Sequence, residues 1–525
     1  MDGNAEDDAL NWLEGGGVPG GGPVRRIETH AAVILLAGDR AWKLKKPVRF
    51  GYLDFSTPER RGRALEEELR LNRRSAPELY LALHKVARDA AGAYRLDGEG
   101  RIVDWVLEMR RFPDDALLAD RADAGRLDEG LLLDLADHIV ALHGAADVRR
   151  EEEGAGRLRC VVGNNRASMA AFPDILPPDA VEQLEAHLLR AIDARAVLLD
   201  RRAREGHVRH VHGDLHLGNI ALIEGRPVAF DRLEFDAGLA TIDLLYDLSF
   251  LLMDLWQRGL KREASLVFNR YLDLSPGEED GVGLLPLFMA VRASIRAHVL
   301  AASADQGQEE RATAKAVEKA RAYLALALRL AGRLTEEASP CCLVAIGGLS
   351  GTGKSTLARA LAAEVGPAPG ARVLRSDVLR KRLAGVAPEE TLPGQAYTRA
   401  SSGEVYDELA RLAARALDAG AAVIADAVFS SPEERAQIAG VAAHRNSPFA
   451  GLWLVLGEAG RVSRVETRRK DASDATADVV RMQTLRHPDQ PEDWIILDAA
   501  GAGEAVASRA RVALEAAFRG AENGR

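Results

Sequence analysis

Two stretches of this sequence carry residue types and spacings suited to moving a phosphoryl group. The first is Gly348-Leu349-Ser350-Gly351-Thr352-Gly353-Lys354-Ser355, followed by Thr356. It fits G-x-x-x-x-G-K-[ST] throughout. It also follows an apolar run, Cys342–Ile346, and opens a helical one, Thr356–Glu364, which is the context the motif needs. Glycines let backbone N–H groups curl around phosphate oxygens, and a helix N-terminus adds positive potential there. Gly348, Ser350, Gly351, Thr352, Gly353, Lys354, Ser355 and Thr356 therefore read as a cradle for ATP. Lys354 would reach the β- and γ-phosphates, and the Ser355 hydroxyl would ligate Mg²⁺.

Three features downstream suit transfer to a hydroxyl acceptor. Ser376-Asp377 follows apolar Val373-Leu374, so Asp377 at a strand end could take the acceptor's proton. Arg380, three residues on, shares its helical face and could clamp an anionic acceptor. Val423-Ile424-Ala425-Asp426 is an apolar strand ending in an acid, of the type that holds Mg²⁺ through water. Arg461, Arg464, Arg468 and Arg469 precede the polar Asp471–Ala475, as in a lid that brings Arg468 to the transferring group. The competing readings are a helix-capping Asp377, a plain strand-end Asp426 and a solvated basic face. Together these residues resemble the P-loop kinases that include polynucleotide 5′-hydroxyl kinase, gluconate kinase and zeta-toxin-like kinases. The resemblance covers about 341–500. It implies that Asp377 is the acceptor-activating base and that Arg380 touches the acceptor.

The second stretch is Val211-His212-Gly213-Asp214-Leu215-His216-Leu217-Gly218-Asn219, followed by Val228-Ala229-Phe230-Asp231. Phosphoryl transfer needs one carboxylate to orient the acceptor hydroxyl, here Asp214. It also needs an amide oxygen and a second carboxylate for Mg²⁺, here Asn219 and Asp231. The step from Asp214 to Asn219 is that of the protein-kinase loop H-R-D-L-x-x-x-N. With Gly213 in place of Arg, H-G-D-x-H-x-x-N resembles the aminoglycoside phosphotransferase branch of the kinase-like fold. His207, His210, His212 and His216 raise zinc as a rival, but no cysteine lies near and the punctuation is that of a loop. Within the resemblance, Lys43 of Ala41-Trp42-Lys43 stands where a phosphate-pairing lysine would be, with Lys45 as its rival. Glu67 or Glu68 would hold that lysine, and Trp105–Arg110, through Met109, would lead into the hinge that meets adenine. No G-x-G-x-x-G lies near residues 30–40, and Arg232-Leu233 follows Asp231 in place of Phe-Gly. Glu234 and Asp236 could join the metal set or brace the loop. Asp243 and Asp247 read as structural.

The elements around these motifs divide the chain. Residues 1–26, with two glycine triplets, read as a flexible tail. From about Arg26, Val33–Leu36 and Ala41–Lys45 read as strands about a turn. Thr57-Pro58 starts a helix. Leu83–Ala87, Ala93–Leu96 and Trp105–Met109 read as further strands, and Leu131–His143, Ala180–Ala203 and Leu284–Arg333 as helices. Past Glu336–Pro340 short apolar strands alternate with helices, as in a covered parallel sheet. The expected architecture is an α+β kinase-like bilobal domain of the aminoglycoside phosphotransferase type over 27–335, then an α/β P-loop domain over 341–525.

Of the 525 residues, 47% are hydrophobic and 28% charged, enough to build sizeable cores. A formal net charge of −10 argues against a nucleic-acid coat. Three cysteines, two of them adjacent, exclude a disulfide framework and fit a reducing compartment. No unbroken apolar run suggests a membrane span, and the polar N-terminus does not read as a secretory signal; the expected location is cytoplasmic. The whole resembles bacterial proteins described as bifunctional aminoglycoside phosphotransferase/ATP-binding proteins. That implies two phosphotransferase modules using ATP and Mg²⁺ on hydroxyl-bearing small molecules. An ATP-driven regulatory protein and a 5′-hydroxyl polynucleotide kinase are the alternatives.

Overall fold

The computed structural model describes residues 3–522 apart from 30, 51–52, 151–152, 235–236, 306–309, 335–340, 468–471 and 487–489. The chain forms two compact units that interleave in sequence. One comprises 1–154, 199–254 and 299–320; the other comprises 155–198, 255–298 and 321–525. This differs from the linear division read at 336–340, a stretch that lies outside the described residues. The expected classes, α+β first and parallel α/β after it, are those observed.

In the first unit a six-stranded sheet runs Arg25–Glu28, Ala32–Ala37, Arg40–Lys45, Arg101–Arg110, Tyr80–Arg88, Tyr94–Leu96 in spatial order. Every neighbouring pair is antiparallel. Helix Pro58–Asn72 packs on it. Thr57 caps that helix by accepting from the Arg60 N–H, and Pro58 occupies its first turn, where no N–H is needed. Leu65, Glu68 and Asn72 recur at helical spacing and are all buried, so one face carries both core and polar groups. A cluster around Leu65, Tyr80, Leu107 and Met109 continues into the hairpin Ile220–Ile223/Arg226–Ala229.

The N-terminal segment differs from the expected flexible tail. Gly3–Trp12 is helical, and Ala9, Leu13 and Val18 are buried against Val33, Leu35 and Trp42. The glycine triplets flank apolar residues that cover the outer face of the sheet, which outweighs the local flexibility of glycine.

The second unit holds a five-stranded parallel sheet in the order Arg372–Arg375, Val423–Asp426, Leu343–Gly347, Phe449–Val455, Ile495–Asp498. The first strand in sequence is central, so the loop after it opens beside the ends of its neighbours, where ligands bind in such sheets. Helix Lys261–Leu274 and the short helix Glu279–Leu284 belong to this unit through Arg372. That side chain is fully buried and bonds Glu279 at 2.8 Å, Asp273 at 2.8 Å and Asn269 at 3.3 Å. The Asn269 amide oxygen also accepts from the Val373 N–H at 2.7 Å. Gly283 lies so close to Ala419 that a Cβ would sit 1.5 Å from its carbonyl oxygen, so only glycine fits. Among the described residues, Glu279–Asp305 is long and apolar enough to pass for a membrane span, although 72% of its apolar window is buried within the protein.

Candidate functional site

In the first unit the sheet, the helix behind it and the loop after the hairpin bring a row of charges together. Lys43 Nζ lies 2.7 Å from Glu68 Oε1 and 2.6 Å from Asp231 Oδ1. Lys45, on the same strand face, lies 2.7 Å from Glu68 Oε2 and 2.5 Å from Glu234 Oε1. Burial alone would lower the Lys43 pKa, but the Asp231 and Glu68 carboxylates outweigh it and hold the ammonium charged. Asp231 is likewise pushed up by burial and pulled lower overall by Lys43 and Lys45. The backbone of Asp231 has φ 61°, a left-handed conformation uncommon outside glycine. It is held there by its N–H donating to the Tyr80 hydroxyl at 3.0 Å and by the Arg232 N–H donating to Asn72 Oδ1 at 3.0 Å.

Glu67 is corrected by this geometry. It faces outward and pairs with Arg70 at 2.5 Å, while Glu68 takes the lysines. The signal was present in the spacing, since Glu68 shares a helical face with Leu65 and Asn72 and Glu67 does not. Met109 lies opposite Ala41 on one side and Tyr80 on the other, inside the sheet, with its side chain in the core.

Asp214 and Asn219 meet directly, Asn219 Nδ2 donating to Asp214 Oδ2 at 2.8 Å. His212 is buried beneath them. Its Nε2 donates to the Phe230 carbonyl at 2.9 Å and its Nδ1 accepts from the Asp214 N–H at 3.3 Å. Burial lowers its pKa, which suits a neutral ring used in both directions. Asp247, also fully buried, accepts from the N–H groups of His212 and Gly213 and contacts His143 Nε2 at 3.1 Å. Asp254 accepts from the Leu217 N–H. Asp243 forms a buried pair with Arg202 at 2.8 Å. Asp243 and Asp247 thus brace backbone and helix, and Glu234 braces Lys45. Asp236 lies outside the described residues. Tyr80, Asn72 and Asp254 were missed, because nothing local in the sequence marks a side chain that supports a distant loop.

In the second unit the phosphate loop joins strand Leu343–Gly347 to helix Lys354–Ala362. Gly348, Gly351 and Gly353 all have left-handed φ, at 133°, 84° and 96°. At Gly351 a Cβ would lie 2.6 Å from the Arg461 carbonyl oxygen, so glycine is required twice over. Ser355 Oγ donates to Asp426 Oδ2 at 2.6 Å, and Arg375 Nε stands 3.5 Å from the same oxygen. Lys354 Nζ contacts the Leu349 carbonyl at 3.2 Å. Thr352 folds its hydroxyl onto Leu349, and the exposed Thr356 lies in the helix's first turn. The Ser350 N–H donates to Gln483 Oε1 at 2.7 Å.

Asp377 opens helix Ser376–Leu383 beside this loop. Burial raises its pKa; Asp426 adds to the rise, while Ser473, Arg375 and Lys354 oppose it. Arg380 donates to the Ala396 carbonyl at 2.9 Å and to Ser402 at 3.4 Å, with its guanidinium 4.8 Å from the centre of the Tyr397 ring. Lys381, next to it, pairs with Asp474 at 2.7 Å, and the Tyr397 hydroxyl also donates to Asp474. Arg464 holds the carbonyls of Thr352 and Ala499 at 2.9 and 2.8 Å, and Arg461 donates to the Leu456 carbonyl and the Thr484 hydroxyl. Arg464 therefore braces the loop, and Arg461, buried, ties its own helix to helix Ala477–Arg486, so neither belongs to a solvated face. Arg468 and Arg469 lie outside the described residues. Gln483, Arg375 and Asp474 were not found from the sequence, where each is one polar residue among many.

The chain is 33% identical over 470 residues to the proteins Rv2004c and MT2060 of Mycobacterium tuberculosis and Mb2027c of Mycobacterium bovis, each described as uncharacterized. The match covers 88% of this chain and 90% of theirs. The chain belongs to this family. Within it, residues 343–489 match the family model described as an AAA domain, which spans the phosphate loop, Asp377 and Asp426. A gluconokinase from Sinorhizobium meliloti 1021 is similar to 35% of the chain at 22% identity and a TM-score of 0.25, over 95% of its own length. A choline/ethanolamine kinase family protein from Mesorhizobium loti is similar to 62% of the chain at 14% identity and a TM-score of 0.35, over 98% of its own length. A thermostable mutant of aminoglycoside phosphotransferase APH(4)-Ia is similar to 58% at 13% identity and a TM-score of 0.35, over 94% of its own length.

Proposed function

We propose that this chain is an ATP-dependent phosphotransferase with two modules, each moving the γ-phosphoryl group of MgATP to a hydroxyl of a small-molecule acceptor. The observation that carries this reading is a shared pattern. In each unit an oxygen-rich pair stands by a second carboxylate and a lysine: Asn219 and Asp231 with Asp214 and Lys43, and Ser355 and Asp426 with Asp377 and Lys354. Carboxylate, amide and hydroxyl oxygens are the donors a hard divalent cation takes, so both sets fit Mg²⁺. Bound there, the ion would offset charge on the phosphoryl oxygens.

The protein's own share of the chemistry is orientation and proton transfer. Asp214 and Asp377 accept a hydrogen bond from the acceptor hydroxyl and take its proton as the oxygen attacks phosphorus. Lys43 and Lys354 hold nucleotide phosphates, together with the loop N–H groups of 351–356. Ser350 has its N–H on Gln483, which ties helix Ala477–Arg486 to the loop rim. Arg380 shapes the wall beside Asp377 through Ala396, Ser402 and Tyr397, and the sequence pattern alone assigns Arg468 to the transferred group.

The test is turnover of radiolabelled ATP against sugars, aminoglycosides and 5′-hydroxyl oligonucleotides. Asp214→Ala and Asp377→Ala should each remove a different acceptor-dependent activity, and Lys354→Ala should remove the second of these. An Asp214→Ala variant that keeps every acceptor-dependent activity rules out the first module as a working kinase.

A further inference from the structure

The row of charges in the first unit has a half that the proposed chemistry does not use. It runs Asp231, Lys43, Glu68, Lys45, Glu234, with successive contacts of 2.6, 2.7, 2.7 and 2.5 Å. One lysine suffices to pair a nucleotide phosphate with the helix glutamate. A second buried lysine and its own glutamate call for a reason, because burying an ion pair gains little stability over apolar residues of the same size. Lys45 and Glu234 have side-chain exposures of only 5% and 7%, so the expense of removing both charges from water is real.

The turn between strands Arg25–Glu28 and Ala32–Ala37 supplies a reason. It is the turn beside the lysine end of the sheet, since the Lys46 N–H donates to Ala31 O at 2.8 Å. Its sequence, Thr29-His30-Ala31, contains no glycine, and among the described residues several groups at its two ends are engaged. The Thr29 N–H donates to Ala32 O at 2.9 Å, the Ala32 N–H donates to the Thr29 hydroxyl at 2.9 Å, and Glu28 pairs with Lys46 at 2.7 Å. The N–H groups of Thr29 and Ala32 are thus turned onto the turn itself and not toward a polyphosphate.

We propose that Lys45 is the second phosphate-contacting cation of the N-terminal site, supplying from the sheet the positive contact that a glycine-rich loop's amides would otherwise provide. The inference rests on the reading of that site as a nucleotide site. Lys43 donates to Glu68 and Asp231, while Lys45 donates to Glu234, lies 2.7 Å from Glu68 Oε2 and stands 5.4 Å from the centre of the Phe55 ring, so by donor count each ammonium keeps an N–H for a phosphate oxygen. Both point to the same face of the strand, being two residues apart. The partners set the division of labour. Glu68 holds both lysines in place, and Glu234 keeps Lys45 compensated when no polyphosphate is bound.

The experiment uses the full chain carrying Lys354→Ala, so that nucleotide binding reports the N-terminal site. Affinities for magnesium-bound AMPPNP, for ADP and for AMP are measured by calorimetry. Lys45→Met alone would leave Glu234 buried and unpaired, so the informative variant is the pair Lys45→Met with Glu234→Met. The pair should unfold near the parent's temperature, weaken AMPPNP by about tenfold to a hundredfold, the scale of one charge-assisted hydrogen bond, and leave AMP within about threefold. A folded pair variant that binds AMPPNP as the parent does overturns the proposal, as does an equal loss for all three nucleotides. A Lys43→Met control that binds all three unchanged overturns the reading of the site itself, and the proposal with it.

Discussion

The two candidate sites solve the same electrostatic problem with different parts of the chain. The C-terminal loop holds its ligand-facing groups in one stretch, Gly348 to Thr356, and forms them largely from backbone. The N-terminal site is built almost wholly from side chains on separate elements. Lys43 meets Asp231 across 188 residues of sequence and Glu68 across 25. The first design depends on backbone conformations that only glycine adopts easily. The second depends on buried charges that must all be present together. The two should therefore fail in different ways when altered.

Removing Glu68 should have the largest effect. It takes away the buried carboxylate shared by Lys43 and Lys45, leaving Asp231 and Glu234 as their remaining partners, so Glu68→Ala should destabilise the first unit by about 3–5 kcal/mol, the range for breaking a buried pair. Glu67→Ala, one residue away and exposed, should change stability by less than about 1 kcal/mol. Thermal unfolding of the two variants side by side checks this, and similar losses for both would break the contrast.

In the second unit the equivalent test is a methyl group. Gly351→Ala places a Cβ against the Arg461 carbonyl at φ 84°, which should cost about 1–3 kcal/mol. The same variant should lower nucleotide affinity at the C-terminal site only. Chemical denaturation together with nucleotide titration checks both, and a variant as stable and as tight-binding as the parent would contradict the strain argument.

A smaller effect separates function from stability at Asp377. Burial raises its pKa, so the folded state disfavours the ionised form and loses stability as pH rises through that raised value. Asp377→Asn removes this penalty. It should unfold at the same or a higher temperature than the parent at pH 8, with the advantage shrinking as pH falls below the raised pKa. Turnover at that site should be lost at every pH. Scanning unfolding across pH would show a reversed sign if Asp377 were held ionised by its neighbours.

The contrast also explains what the sequence made legible. The phosphate loop could be read because its determinants are contiguous. The Asp214-to-Asn219 step and the Asp231 strand end could be read for the same reason. Glu67 and Glu68 stood as alternatives in the sequence, and the Leu65–Glu68–Asn72 spacing shows which face is buried. Tyr80, Asn72 and Gln483 were not legible as supports, because each acts on a loop far away in sequence, and Arg464 read instead as part of a lid. The N-terminal helix was missed for a related reason. Leu13 and Val18 are buried only because a sheet formed elsewhere offers an apolar face. Nor was it legible that Arg372 ties the second sheet to Asn269, Asp273 and Glu279, which lie about a hundred residues earlier.

The central claim is that one polypeptide holds two independent nucleotide sites. Titration calorimetry of the full chain with AMPPNP and Mg²⁺ tests it most directly. The parent should bind two equivalents, Lys354→Ala one, Lys43→Met one, and the double variant none. A parent that binds a single equivalent, lost wholly with either lysine, would contradict two separate sites.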